Sequence, residues 1–144
     1  MILYIDTSAL VKRYIREAGS TDVVAWMREA DLIGVNVITR AEVGATFSRL
    51  HRARIVDSAT AEQLLKEFRA HWPNYLRLQI NEALIAAAEG LAWEYGLRGY
   101  DAVHLASASI WQESMGEVVT MLTYDRQLWE VADRVGLQAL PQQL

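Results

Sequence analysis

The sequence predicts an α/β protein with a parallel central sheet flanked by helices on both faces. Short apolar runs rich in branched residues recur at positions 1–5, 32–38, 75–80, 118–122 and 137–140. Stretches with helical spacing separate them, and capping or turn residues stand at the junctions. Parallel strands need a crossover between them, usually a helix, and a sheet built that way is covered on both faces. A chain of 144 residues falls within the usual size of one domain, so residues 1–144 are read as a single unit.

Each element has its own signal. Residues 1 to 5 form an apolar strand that meets Asp6-Thr7-Ser8, a capping cluster, before the helical pattern Leu10, Val11, Tyr14, Ile15. A second helix follows Ser20-Thr21-Asp22, with Val23, Val24, Trp26 and Met27 on its apolar side, and Leu32 to Ile38 is a buried strand. Thr39-Arg40-Ala41-Glu42 opens a third helix in the pattern of a capping box. Ser58 to about Trp72 supplies a fourth, and Pro73 sits where a helix should stop. Tyr75 to Ile80 is the next strand; Asn81 caps a helix from Glu82 to Tyr95, and Gly96 is placed as its C-terminal glycine. Tyr100 to about Met115 is another helix and Val118 to Leu122 a strand. Asp125 then starts a last helix ending near Gly136, and Leu137 to Leu140 adds a short strand.

Composition narrows the function classes. With 52% hydrophobic and 22% charged residues the chain is that of an ordered globular protein. It has no cysteine, which removes disulfides, thiolate catalysis and Cys-based zinc sites. The N-terminus has no cationic leader before its apolar run and so does not read as a secretory signal. The most apolar stretch, Ala83 to Trp93, is interrupted by Glu89 and Gly90 and falls short of the roughly 20 residues that span a bilayer. A soluble, cytoplasmic protein without membrane contact is expected. The net charge of −4 argues against a broad cationic surface for nucleic acid but leaves room for a local patch.

The chemistry is carried by Asp6, Glu42, Asp101 and Asp125. Each lies at or near a predicted helix start, where a carboxylate can serve merely as a cap or meet the positive end of the helix dipole. Their joint placement says more. Asp6 and Asp125 follow apolar strands, and ligands in such sheets collect outside the carboxyl ends of the strands. Ser8 follows Asp6 and is available to cap in its place; Thr123 precedes Asp125; and Asp101 follows Arg98-Gly99-Tyr100, a glycine turn that would aim it at the sheet edge. Carboxylates gathered in one cleft repel unless they protonate or bind cations. Hard oxygen ligands suit Mg2+ or Mn2+, which can acidify a bound water and offset charge on a phosphate during in-line displacement. That is phosphodiester hydrolysis.

Ile5-Asp6-Thr7-Ser8-Ala9-Leu10, the Glu42 helix, Tyr100-Asp101-Ala102-Val103-His104-Leu105-Ala106 and Leu122-Thr123-Tyr124-Asp125 resemble, in order and across the whole chain, the four motif regions of PIN-domain nucleases, specifically the toxins of VapBC toxin–antitoxin pairs. The resemblance implies that Asp6, Glu42 and Asp101 are the core metal-binding acids, that Asp125 is the fourth, and that Ser8 and Thr123 assist with hydrogen bonds. It also implies a Mg2+- or Mn2+-dependent endoribonuclease acting on structured RNA, a homodimer, and a cognate antitoxin protein that holds it inactive.

Other residues carry weaker signals. His104, one turn after Asp101, is read as a packing histidine and left out of the site, since magnesium-type sites prefer oxygen. His51 and His71 read as solvated. Lys12, Arg13, Arg16 and Arg40 are candidate rim charges, with Arg98 and Arg126, which flank the last two acids, the foremost candidates for RNA phosphate contacts. The five tryptophans fall on helical apolar positions and read as core or interface anchors. An aspartyl-phosphate phosphatase fits poorly, because its usual second aspartate is Ser8 here, and a phosphoryl-receiving module lacks its paired acids and late lysine. The non-enzymatic alternative is an interaction domain whose acids only cap helices.

Overall fold

The computed structural model describes residues 1–144. Five strands form the sheet: β1 (Ile2–Ile5), β2 (Leu32–Asn36), β3 (Leu76–Leu78), β4 (Val119–Leu122) and β5 (Gln138–Leu140). Seven helices surround it: α1 (Thr7–Leu10), α2 (Ser20–Glu29), α3 (Thr39–Arg52), α4 (Ser58–His71), α5 (Glu82–Tyr95), α6 (Gly99–Met115) and α7 (Arg126–Ala132). The expected helix around Leu10 to Ile15 is only a four-residue turn that runs into the 3-10 turn Val11–Arg13. It starts at once because Asp6 itself is the N-cap, accepting from the Ala9 N–H at 3.0 Å, so Ser8 does not take that role. Asn81 caps α5 by accepting from the Leu84 N–H, and Gly96, at φ +67°, closes it in the left-handed conformation that glycine adopts without strain.

Every pairing is parallel, in the order β3-β2-β1-β4-β5. From β1 the chain moves outward to β2 and β3 on one side, and β4 and β5 complete the other side. The order therefore reverses between β1 and β4, whose register pairs Ile5 with Leu122. At such a switch point the connections leave in opposite directions and a crevice opens beyond the strand ends.

Alternation along β1 divides the interior in two. Ile2 and Tyr4 face a cluster containing Leu84, Ala88, Leu105, Trp111 and Leu128, from α5, α6 and α7. Leu3 and Ile5 face the opposite cluster of Leu10, Val23, Val43, Phe47 and Phe68, from α1 to α4. Successive strand residues point to opposite faces, so a strand apolar at every position is the signature of a sheet covered on both. α6 is buried almost all round from Ala102 to Ala108, which fits a helix held between the sheet and α5. Gly34 on β2 lies directly under the Trp111 ring, with no room for a Cβ.

Candidate acidic active site

A cleft of about 390 Å3 opens beyond β1 and β4, and Asp6, Glu42, Asp101 and Asp125 all line it. Four separate elements deliver them. Asp6 follows β1 as the N-cap of α1, Glu42 stands in the first turn of α3, Asp101 in the first turn of α6, and Asp125 is the N-cap of α7.

Asp6 is 3% exposed and clamped on both oxygens. Its Oδ1 accepts from the Ala9 N–H and its Oδ2 from the Thr123 hydroxyl at 2.7 Å, while the Ser8 hydroxyl lies 2.8 Å from each oxygen. Those hydroxyls are themselves fixed: Ser8 Oγ accepts from the Tyr124 N–H and Thr123 Oγ1 from the Asp125 N–H. The loop after β4 is thereby stitched to the loop after β1 through the acid. Burial pushes the Asp6 carboxyl pKa up, against the opposing pull of His104 and these three donors.

Glu42 is not the far end of a capping box. Ile38 is the N-cap of α3 with no side-chain cap bond, and Thr39 Oγ1 is buried without a partner. The Glu42 carboxylate instead turns into the cleft, where Oε1 accepts from Thr7 Oγ1 at 2.8 Å and meets His104 Nε2 at 2.6 Å. Burial acts to raise its pKa, but His104 and Thr7 outweigh it and hold the group below the ordinary glutamate value. The other His104 nitrogen, Nδ1, lies 2.8 Å from the Tyr4 hydroxyl. Nε2 thus faces the Glu42 carboxylate and Nδ1 the Tyr4 hydroxyl, whose pKa burial raises.

Asp101 and Asp125 share one cation. Arg98 donates from Nε to Asp101 Oδ2 and from Nη2 to Asp125 Oδ2, both at 2.7 Å, with its side chain 73% exposed. It flanks the last two acids, as the sequence suggested, and is paired with both of them. Arg126 is exposed at the start of α7 and lies outside the cleft lining.

The cleft also contains residues that sequence reasoning missed or set aside. His104 is 2% exposed and both ring nitrogens are engaged, so it packs as expected but also orients Glu42. Its spacing from Asp101 was visible, but its partners lie 62 and 100 positions away. Thr7 was visible only as part of the capping cluster after β1, and Arg49 gave no signal at all. Glu42 Oε2 and Asp101 Oδ1 take no protein donor. As the side chains stand, no three of the acids and His104 converge on one point as a ready-made cage.

The fold and cleft together define an all-parallel α/β protein with a carboxylate-lined crevice at the switch point of its sheet. Residues 3–134 match the PIN domain, and the chain belongs to that family. Among known proteins it is similar to ribonuclease VapC45 of Mycobacterium tuberculosis, 29% identical over 144 residues that cover 99% of this chain and 97% of the relative. Among solved structures it is similar to FitAcB from Neisseria gonorrhoeae, with TM-score 0.69 and 20% identity over 96% of both chains. A further likeness is VapBC2 from Rickettsia felis, solved bound to a DNA fragment from its promoter, with TM-score 0.66 and 14% identity over 96% of this chain and 97% of that one.

Proposed function

We propose that this protein is a divalent-metal-dependent endoribonuclease and the toxin of a type II toxin–antitoxin pair. The observation that carries the reading is the convergence of four carboxylates, from four elements, on one cleft of a PIN-family chain whose curated relatives are named VapC ribonucleases. Asp6, Glu42, Asp101 and Asp125 would hold Mg2+ or Mn2+, and their all-oxygen donor set suits those ions. Glu42 Oε2 and Asp101 Oδ1, which no protein group engages, are the atoms best placed to serve. When bound, the ion would supply an acidified water and charge compensation at the scissile phosphate.

The protein's own contribution is orientation. Ser8 and Thr123 hold both Asp6 oxygens, and His104 and Thr7 fix one Glu42 oxygen and leave the other without a protein partner. Arg98, held by two acids yet largely exposed, can exchange its carboxylate partners for an RNA phosphate. The partners of this reading are an RNA substrate, a cognate antitoxin protein and a second copy of the chain in a homodimer. Exposed Ile80, Ile85, Tyr100 and Trp93, the last 92% exposed, supply apolar surface for protein contacts. No helix is long and apolar enough to cross a membrane. A single domain over residues 1–144, at work in the cytoplasm, completes the proposal.

Cleavage of purified cellular RNA by the wild type and by Asp101→Asn, with magnesium, with manganese and with EDTA, tests it. Discrete cuts that need the metal and vanish in the variant are expected. Equal cutting by both proteins, or none under any condition from a folded wild type, would sink the reading. The interaction-domain alternative draws on Asp6 and Asp125, which do cap helices, but capping gives no reason to bury His104 against Glu42.

A further inference from the structure

A second cavity, of about 420 Å3, has the opposite character to the acidic cleft. Lys12, Arg13, Arg16 and Arg28 line it together with the hydroxyl residues Ser20 and Thr21, and no carboxylate is among its lining residues. Three of the cations come from the turn after α1 and one from the last turn of α2. Lys12 is committed, with Nζ 2.9 Å from Glu17 Oε1 and 3.0 Å from the Ala18 carbonyl. Arg13, Arg16 and Arg28 make no salt bridge. The chain gathers three guanidinium groups without a carboxylate partner in one concavity, Arg13 lying over the Tyr14 ring, although its net charge is −4. Like charges brought together in this way raise each other's cost unless an anion relieves them.

The position of the cavity limits which anion. One short segment lines both sites: Asp6, Thr7, Ser8 and Val11 face the acidic cleft, while Lys12, Arg13 and Arg16 face the basic pocket. Val11 and Lys12 are consecutive, so the 3-10 turn Val11–Arg13 contributes residues to both linings. A polyanion with one phosphate at the carboxylates is repelled by the molecule as a whole and needs local positive charge within reach of its next phosphates. Guanidinium groups are the side chains suited to that contact, because their fork matches two phosphate oxygens at once.

We propose that this pocket is a phosphate-binding subsite that grips the RNA strand to one side of the scissile bond, a reading that rests on the ribonuclease assignment of the neighbouring cleft. Arg28 is the informative member. It stands 12 or more residues from the other three in sequence, and only the packing of α2 against the turn after α1 brings it to them.

The test is fluorescence anisotropy of a dye-labelled single-stranded RNA long enough to span both cavities. It is run in EDTA across a salt series, with the wild type and with the double variant Arg16→Gln and Arg28→Gln. Both side chains are exposed and unpaired, so melting curves should superimpose. The variant should bind about tenfold more weakly at low salt, and the slope of log affinity against log salt should fall by about 1.4, for two lost phosphate contacts on a single strand. Unchanged affinity and slope would overturn the proposal. So would equal RNA binding by both proteins with a polyglutamate peptide bound by the wild type alone, which would make the pocket a dock for an acidic protein segment. Failure of the wild type to cut any RNA would remove the ribonuclease reading, while the binding comparison would still decide the pocket.

Discussion

Asp6 combines near-complete burial with a full set of donors, and the two have opposite effects on its charge. Burial is the larger, so the folded protein favours a neutral carboxyl more than the unfolded chain does. A folded-state pKa raised above the unfolded one means that ionisation at neutral pH works against the fold, and stability is gained as pH falls toward that pKa. Asp6→Asn keeps an acceptor for the Ala9 N–H while removing the charge. It should raise the melting temperature by a few degrees, on the order of 1 kcal/mol, while abolishing RNA cleavage. Scanning calorimetry beside the cleavage assay checks both halves, and a melting temperature that falls would show that the hydrogen bonds outweigh the burial. His104→Ala should do the reverse on stability. It takes one partner from the buried Tyr4 hydroxyl and leaves Glu42 held by Thr7 alone, costing about 2–4 kcal/mol of stability and roughly 10–100-fold in cleavage. Thermal melts and single-turnover cleavage measure the two losses, and wild-type values in either would remove His104 from its positioning role.

At the level of elements, β1 and α6 do most of the placing, and both were legible for the same reason. A strand apolar at every position and a helix apolar on nearly every side can only be buried on both faces, so their existence follows from composition alone. Their ends did not follow. The α3 start looked like a capping box because Thr39 and Glu42 have its spacing, yet Glu42 found stronger partners 35 and 62 residues away. The four acids were readable one by one, whereas the His104–Glu42–Thr7 set and the Arg98 bridge are tertiary pairings that no local pattern announces. The contact of β2 with α6 offers a structural test. Gly34→Ala would drive a methyl group into the Trp111 ring and should destabilise the protein by about 1–3 kcal/mol in a denaturant melt. A neutral result would mean that α6 can shift off the sheet. At the end of α4, burial and then Arg13 lower the His71 pKa below its ordinary 6.5, beside the Tyr14 hydroxyl. The unfolded chain then binds the proton more readily, so this contribution is present above the unfolded pKa and is lost as pH falls through the window below 6.5. His71→Gln should flatten that part of the stability–pH curve, and an identical curve would contradict the assignment.

For the whole molecule, the decisive feature is the separation of charge: carboxylates in one cleft, unpaired arginines in the next, and Arg98 bridging two of the acids. The four acids, and the strand-end setting of Asp6 and Asp125, were visible in the sequence, while Arg28 joins the other cations only when α2 is folded against the turn after α1. The central claim is that the four carboxylates act as one cation-holding site. Manganese binding followed by electron paramagnetic resonance tests it most directly, since free and bound Mn2+ differ in signal and no RNA is needed. The wild type should bind Mn2+, Glu42→Gln and Asp101→Asn should each weaken binding at least tenfold, and Arg98→Gln, which frees Asp101 and Asp125 from their cation, should strengthen it several-fold. Manganese held equally by the wild type and by both acid variants, or by none of them, would contradict the account.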